Sequence, residues 1–125
     1  MMPITRSVLC ATILAAALVL GCSGDSGTNG SPNGPSIQAT PSLTFTPAVL
    51  NANTGVPVTF IFGSVGHTVV FTAVAGKPQD ITATTSNQNV IRTFSTPGDF
   101  PYHCSIHSQM TGSVHVTAAP LSGAY

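Results

Sequence analysis

The chain has 125 residues and formal net charge zero, with 3 basic and 3 acidic side chains, where an ordinary soluble domain is about 25% charged. That excludes a basic face for nucleic acid and charge-steered docking, and with no Glu and only Asp25, Asp80 and Asp99, paired-carboxylate chemistry has almost no material. Hydrophobic content of 42% with Gly 12 and Pro 10 argues against disorder and for one small domain of many short elements.

Residues 1–21 read as an export signal. Arg6 gives the positive start, and Val8 to Leu20 is an apolar run of 13 residues, too short to span a bilayer but right for a signal core. The run ends in Val19-Leu20-Gly21-Cys22, which resembles the bacterial lipobox. The resemblance implies cleavage before Cys22 and lipidation of its sulfur. The expected location is the cell envelope, lipid-anchored and facing the periplasm or exterior, with Ser23 favouring the outer membrane of a two-membrane bacterium. Residues 22–36 continue as a Gly/Ser/Asn/Pro linker with a coil span of roughly 20 Å.

Residues 37–125 form the expected folded domain, and its periodicity is two. Strands are predicted at Leu43–Thr46, Val56–Phe62, His67–Thr72, Asp80–Thr84, Asn89–Phe94, Asp99–Cys104 and Thr111–Thr117, separated by Gly, Pro and Asn turn signals. No window supports a helix of more than a turn or two. The expectation is an all-β Greek-key β-sandwich of about seven to eight strands.

Cysteine use supplies the first chemical clue. Cys10 is expected to leave with the signal and Cys22 is the predicted lipid site, so Cys104 is the one thiol expected in the folded domain. An unpaired thiol in an oxidising compartment is a hazard unless something occupies it. Around it the sequence reads Tyr102-His103-Cys104-Ser105-Ile106-His107-Ser108-Gln109-Met110. A thiolate, an imidazole and a thioether at three-residue intervals are donors that select copper over magnesium, calcium or iron(II). His67, at the start of a strand, is available as a fourth. His103 alternates with Cys104 and is expected to point outward, and His115 is expected to be a surface residue with no role.

With the strand signals, these residues resemble the cupredoxins, the type 1 blue copper family, and within it the plastocyanin and amicyanin branch. The likeness rests on Gly66-His67-Thr68-Val69-Val70-Phe71, on Gly98 leading into Tyr102-His103-Cys104, on the short C-x-x-H-x-x-M spacing, and on the closing strand Thr111 to Val116. The resemblance implies one copper ion cycling between Cu(I) and Cu(II), held by His67 and His107 through Nδ1, by the Cys104 thiolate and by Met110 as a weak axial ligand. It also implies an exposed His107 edge through which the electron passes. Two departures stand out. Thr68 replaces the family's usual Asn, so the Cys-bearing loop is expected to be less firmly held, and Gly66 replaces Pro, which leaves open whether its carbonyl approaches the metal.

The leading expectation is therefore one-electron transfer between redox partners at the envelope by a monomer that is not an enzyme. The docking patch is expected to be apolar, around His107 with Val65, Gly66, Ile106 and Pro101. The alternatives are copper storage or delivery, which would predict exchangeable Cu(I), and catalysis at an open copper site or by Cys104 as nucleophile.

Overall fold

The computed structural model describes residues 34–123; the signal segment, Cys22 and the linker up to residue 33 lie outside the described residues. Nine strands follow one another: β1 (Ser36–Ala39), β2 (Phe45–Thr46), β3 (Val49–Asn53), β4 (Pro57–Phe62), β5 (His67–Phe71), β6 (Ile81–Thr85), β7 (Gln88–Thr93), β8 (Gly98–Cys104) and β9 (His107–Thr117). They form a four-stranded sheet, β2-β1-β4-β7, and a five-stranded sheet, β3-β9-β8-β5-β6. No described residue is helical, as the alternating pattern requires.

Two strands were not expected. β1 runs parallel to β4, and it starts at Ser36, inside the expected linker. The ladder begins one residue earlier still, where the Pro35 carbonyl accepts the Thr59 N–H. β3 runs parallel to β9 at the edge of the other sheet. Both are formed by pairing with strands far away in sequence, a cause that no local pattern reveals.

The sheets pack face to face by alternation. Ile37, Ala39, Phe45, Val58, Phe60 and Phe62 from one sheet meet Val69, Phe71, Phe100, Tyr102, Val114 and Val116 from the other, all buried. Aromatic rings form the centre. Phe60 makes edge contacts with Phe71 and Tyr102 at centroid distances of 6.2 and 5.5 Å, and Phe94 lies 4.9 Å from Phe100. Such pairs add about 0.5–1.5 kcal/mol each beyond their burial.

Three of the domain's four formal charges serve the fold. Asp80 Oδ1 accepts the Phe71 N–H at 3.0 Å and the Lys77 ammonium at 2.9 Å. Arg92 donates to the Gln79 and Asp80 carbonyls at 2.6 and 3.1 Å. These bonds fasten the segment between β5 and β6 to both sheets. The fourth charge, Asp99, pairs across β8 and β9 with His115, so His115 has a partner that the sequence did not suggest.

Candidate metal centre

His67, Cys104 and His107 come from β5, β8 and β9, adjacent strands of the five-stranded sheet. In a regular β8–β9 ladder His107 would not lie opposite Cys104; that ladder is interrupted where the two meet, and the β5–β6 ladder is irregular beside His67. Between His67 and Val69 the β5–β6 register shifts, and His67, Thr68 and Val69 are buried in succession. Between His103 and Cys104 the partner on β9 moves from Thr111 to His107. One step along β8 thus corresponds to four along β9, and Ser108, Gln109 and Met110 take up the excess. Bulges re-aim side chains in this way beside functional sites.

The result is a convergence of three donor atoms. His67 Nδ1 lies 3.2 Å from His107 Nδ1, which lies 3.5 Å from Cys104 Sγ, and all three residues offer a ligand atom within 4.8 Å of the others. Imidazole and thiolate bind first-row metals at about 2.0 and 2.3 Å, so a trigonal site has edges of about 3.5 Å. The observed spacings bracket that value, and the cluster can hold a copper ion. Among the described residues it is the one such grouping of His, Cys, Asp or Glu.

Burial prepares the donors. Cys104 is fully buried and makes no disulfide. His67 is also fully buried, and its Nε2 has no hydrogen-bond partner. Desolvation and then the nearby His107 ring hold the His67 pKa below its ordinary value, although the Thr40 carbonyl works in the other direction. A neutral imidazole is the form that binds metal.

Met110 is 1% exposed and lines a hollow of about 260 Å³ with Leu43, Ile106, His107, Ser108 and Gln109. The sequence placed Ile106 beside His107 but missed Leu43. Leu43 sits at φ 59° in the turn closed by Thr40 and Thr44, and 43% of it is exposed. A leucine in the left-handed region is uncommon, and nothing in the sequence marks the turn that brings it beside Ile106. Pro101, expected beside His107, pairs instead with Ser113 and lines a groove on the side of the sandwich with His103. His103 is exposed, as alternation with Cys104 requires.

Thr68 overturns the expectation of a loose loop. Its hydroxyl accepts the Ser105 N–H at 2.8 Å and meets Ser105 Oγ at 2.9 Å, and its own N–H donates to Cys104 Sγ at 3.4 Å. The shorter side chain suffices because the turn after β8 brings Ser105 within hydrogen-bond reach of it.

The sequence matches no family model, and it matches no curated protein. Solved structures do resemble the fold. A copper-containing nitrite reductase from Thermus scotoductus is 27% identical with a TM-score of 0.59, over 73% of this chain and 24% of that one. This chain therefore spans about a quarter of the reductase. An oxidised amicyanin variant is 24% identical with a TM-score of 0.61, over 71% of this chain and 87% of the amicyanin. A second oxidised amicyanin variant is 20% identical with a TM-score of 0.61, over 73% and 89%. The chain has the cupredoxin fold.

Proposed function

We propose that this protein binds one copper ion and carries single electrons between redox partners at the cell envelope. The observation that carries the reading is the meeting of His67 Nδ1, His107 Nδ1 and Cys104 Sγ at the end of the sandwich. A soft thiolate combined with two imidazole nitrogens suits both oxidation states of copper, which would supply the one-electron redox change when bound. Met110, buried near the start of β9, is the fourth donor in this reading.

The chain's own residues set the conditions for transfer. The bulged ladders hold the donors before metal arrives, so little has to move when charge changes. Burial of His67 and Cys104 keeps water from the site, while His107 reaches the surface between Leu43 and Ile106. That edge is the contact point for a partner with an apolar face, since no formal charge lies in the hollow around it. Four protein donors leave no position for a substrate, which argues for a carrier over an enzyme. The similarity to a reductase covers one portion of a larger protein. Lipidation at Cys22 would keep the carrier at a membrane surface.

The visible spectrum of the copper-loaded, oxidised protein tests this reading, with Cys104→Ala beside it. The expected result is an intense thiolate-to-copper band that disappears in the variant. A colourless wild-type protein that takes up and releases Cu(I) would replace electron transfer with copper storage or delivery.

A further inference from the structure

The Thr68 hydroxyl touches three groups, and its hydrogen-bond capacity decides how they share it. It accepts the Ser105 N–H at 2.8 Å, meets Ser105 Oγ at 2.9 Å and meets Cys104 Sγ at 3.7 Å. A hydroxyl has one proton to give and two lone pairs to fill. The Ser105 amide takes one lone pair, so the remaining proton and lone pair face Ser105 Oγ and Sγ. A thiolate can only accept.

Two arrangements satisfy these contacts. In one, Thr68 donates to Ser105 Oγ, and the sulfur receives the Thr68 N–H alone. In the other, the Ser105 hydroxyl donates to Thr68 Oγ1 and fills its second lone pair, which turns the Thr68 proton toward the sulfur. The second gives the fully buried sulfur another donor. A bond to a charged acceptor is about twice as strong as a neutral one. Ser105 is exposed, so water can serve its oxygen in either case, and only the sulfur gains or loses.

The geometry points to a two-hydroxyl relay, Ser105 O–H to Thr68 Oγ1 and Thr68 O–H to Cys104 Sγ, that tunes the electron density of the thiolate and, through it, the reduction potential of the metal. This rests on the copper reading above. Donors at the sulfur withdraw density from the metal–thiolate bond, on which the oxidised metal depends more heavily, so the relay favours the reduced form. Thr68 and Ser105 are positioning residues. Ser105 supplies the solvent-facing end of the relay and Thr68, 1% exposed, its buried link.

The test is redox titration of the full copper-loaded protein in wild type, Thr68→Val, Thr68→Ser and Ser105→Ala, followed on the thiolate band. Copper–sulfur stretching frequencies are recorded in H₂O and D₂O. Thr68→Val is expected to shift the Cu(II)/Cu(I) equilibrium about tenfold toward Cu(II), a potential lower by ~59 mV, and to reduce the deuterium shift. Thr68→Ser restores both. Ser105→Ala shifts the equilibrium the same way by a smaller factor. The opposite sign for Ser105→Ala would overturn the relay, because in the first arrangement removing Ser105 Oγ frees the Thr68 proton for the sulfur. So would wild-type potentials and deuterium shifts in both Thr68→Val and Ser105→Ala. If Thr68→Val does not fold, the sign for Ser105→Ala still decides. A colourless wild type overturns the copper reading, a different result from a blue protein whose potential ignores these substitutions.

Discussion

The Tyr102 ring lies across Gly112, its cross-strand partner, and its hydroxyl and ring atoms fill the space that a Cβ on residue 112 would need. The ring also packs against Phe45, Phe60 and Phe71, so it has nowhere to retreat. Gly112→Ala is expected to destabilise the fold by about 1–3 kcal/mol through overpacking, read as a lower denaturation midpoint. The hydroxyl itself has no hydrogen-bond partner, and burial raises its pKa far above the ordinary value. Tyr102→Phe removes an unsatisfied group while keeping the ring, so equal or greater stability is expected. A clear loss in Tyr102→Phe would mean that the hydroxyl is bonded.

Acid should loosen the clamp at Asp80. Burial alone would raise its pKa, but hydrogen bonds from Lys77 and the Phe71 N–H, with the charges of Lys77 and Arg92, outweigh it and hold the value below normal. A carboxylate with a depressed folded pKa stabilises the protein fully above its unfolded value, about 3.9, and loses that contribution as pH falls through the folded value. Asp80→Asn is therefore expected to be less stable than wild type at pH 7, by about 1 kcal/mol. The two stability curves should converge below pH 4. A constant difference across the acid range would remove Asp80 as the titrating group.

Met110→Leu keeps the shape of the buried residue and removes its sulfur. With three strong donors intact, the thiolate band should persist. The reduction potential should rise, because a lost donor disfavours the more highly charged metal. An unchanged potential would make Met110 a packing residue only.

Leu43 and Ile106 can be tested without knowing the natural partner. Electron self-exchange between Cu(I) and Cu(II) molecules brings two His107 edges together. Replacing both apolar residues by Ser should slow exchange several-fold with the spectrum unchanged. The wild-type rate should vary little between low and high salt, since charges on this surface are few and screening has little to act on. A steep salt dependence would point to a charged docking surface elsewhere.

Much of this protein is legible in its sequence because its strands alternate cleanly and three of its four candidate donors fall within seven residues, Cys104 to Met110. Cys104, His107 and Met110 could be read from spacing, and His67 from its place at the head of an apolar strand. What escaped depends on distant neighbours. β3 reads Val-Leu-Asn-Ala-Asn, weak by β-propensity, and exists because β9 pairs with it. Leu43 belongs to a turn that meets the metal loop only in three dimensions. Thr68 looked too short for its task because nothing in the chain shows that the turn after β8 brings Ser105 against it.

His67, Cys104, His107 and Met110 all belong to the five-stranded sheet, as do Thr68 and the hairpin bearing Ser105. The four-stranded sheet contributes none of these residues; it supplies apolar side chains pressed against the other layer and the Arg92 bonds to the segment before β6. Its sequence is therefore free to drift or be redesigned for heat tolerance with little effect on redox behaviour. The opposite layer can accumulate changes that retune the electron's energy while its partner layer keeps the molecule folded. Robustness and tuning occupy separate halves of the same small domain, and selection can act on one without first revising the other.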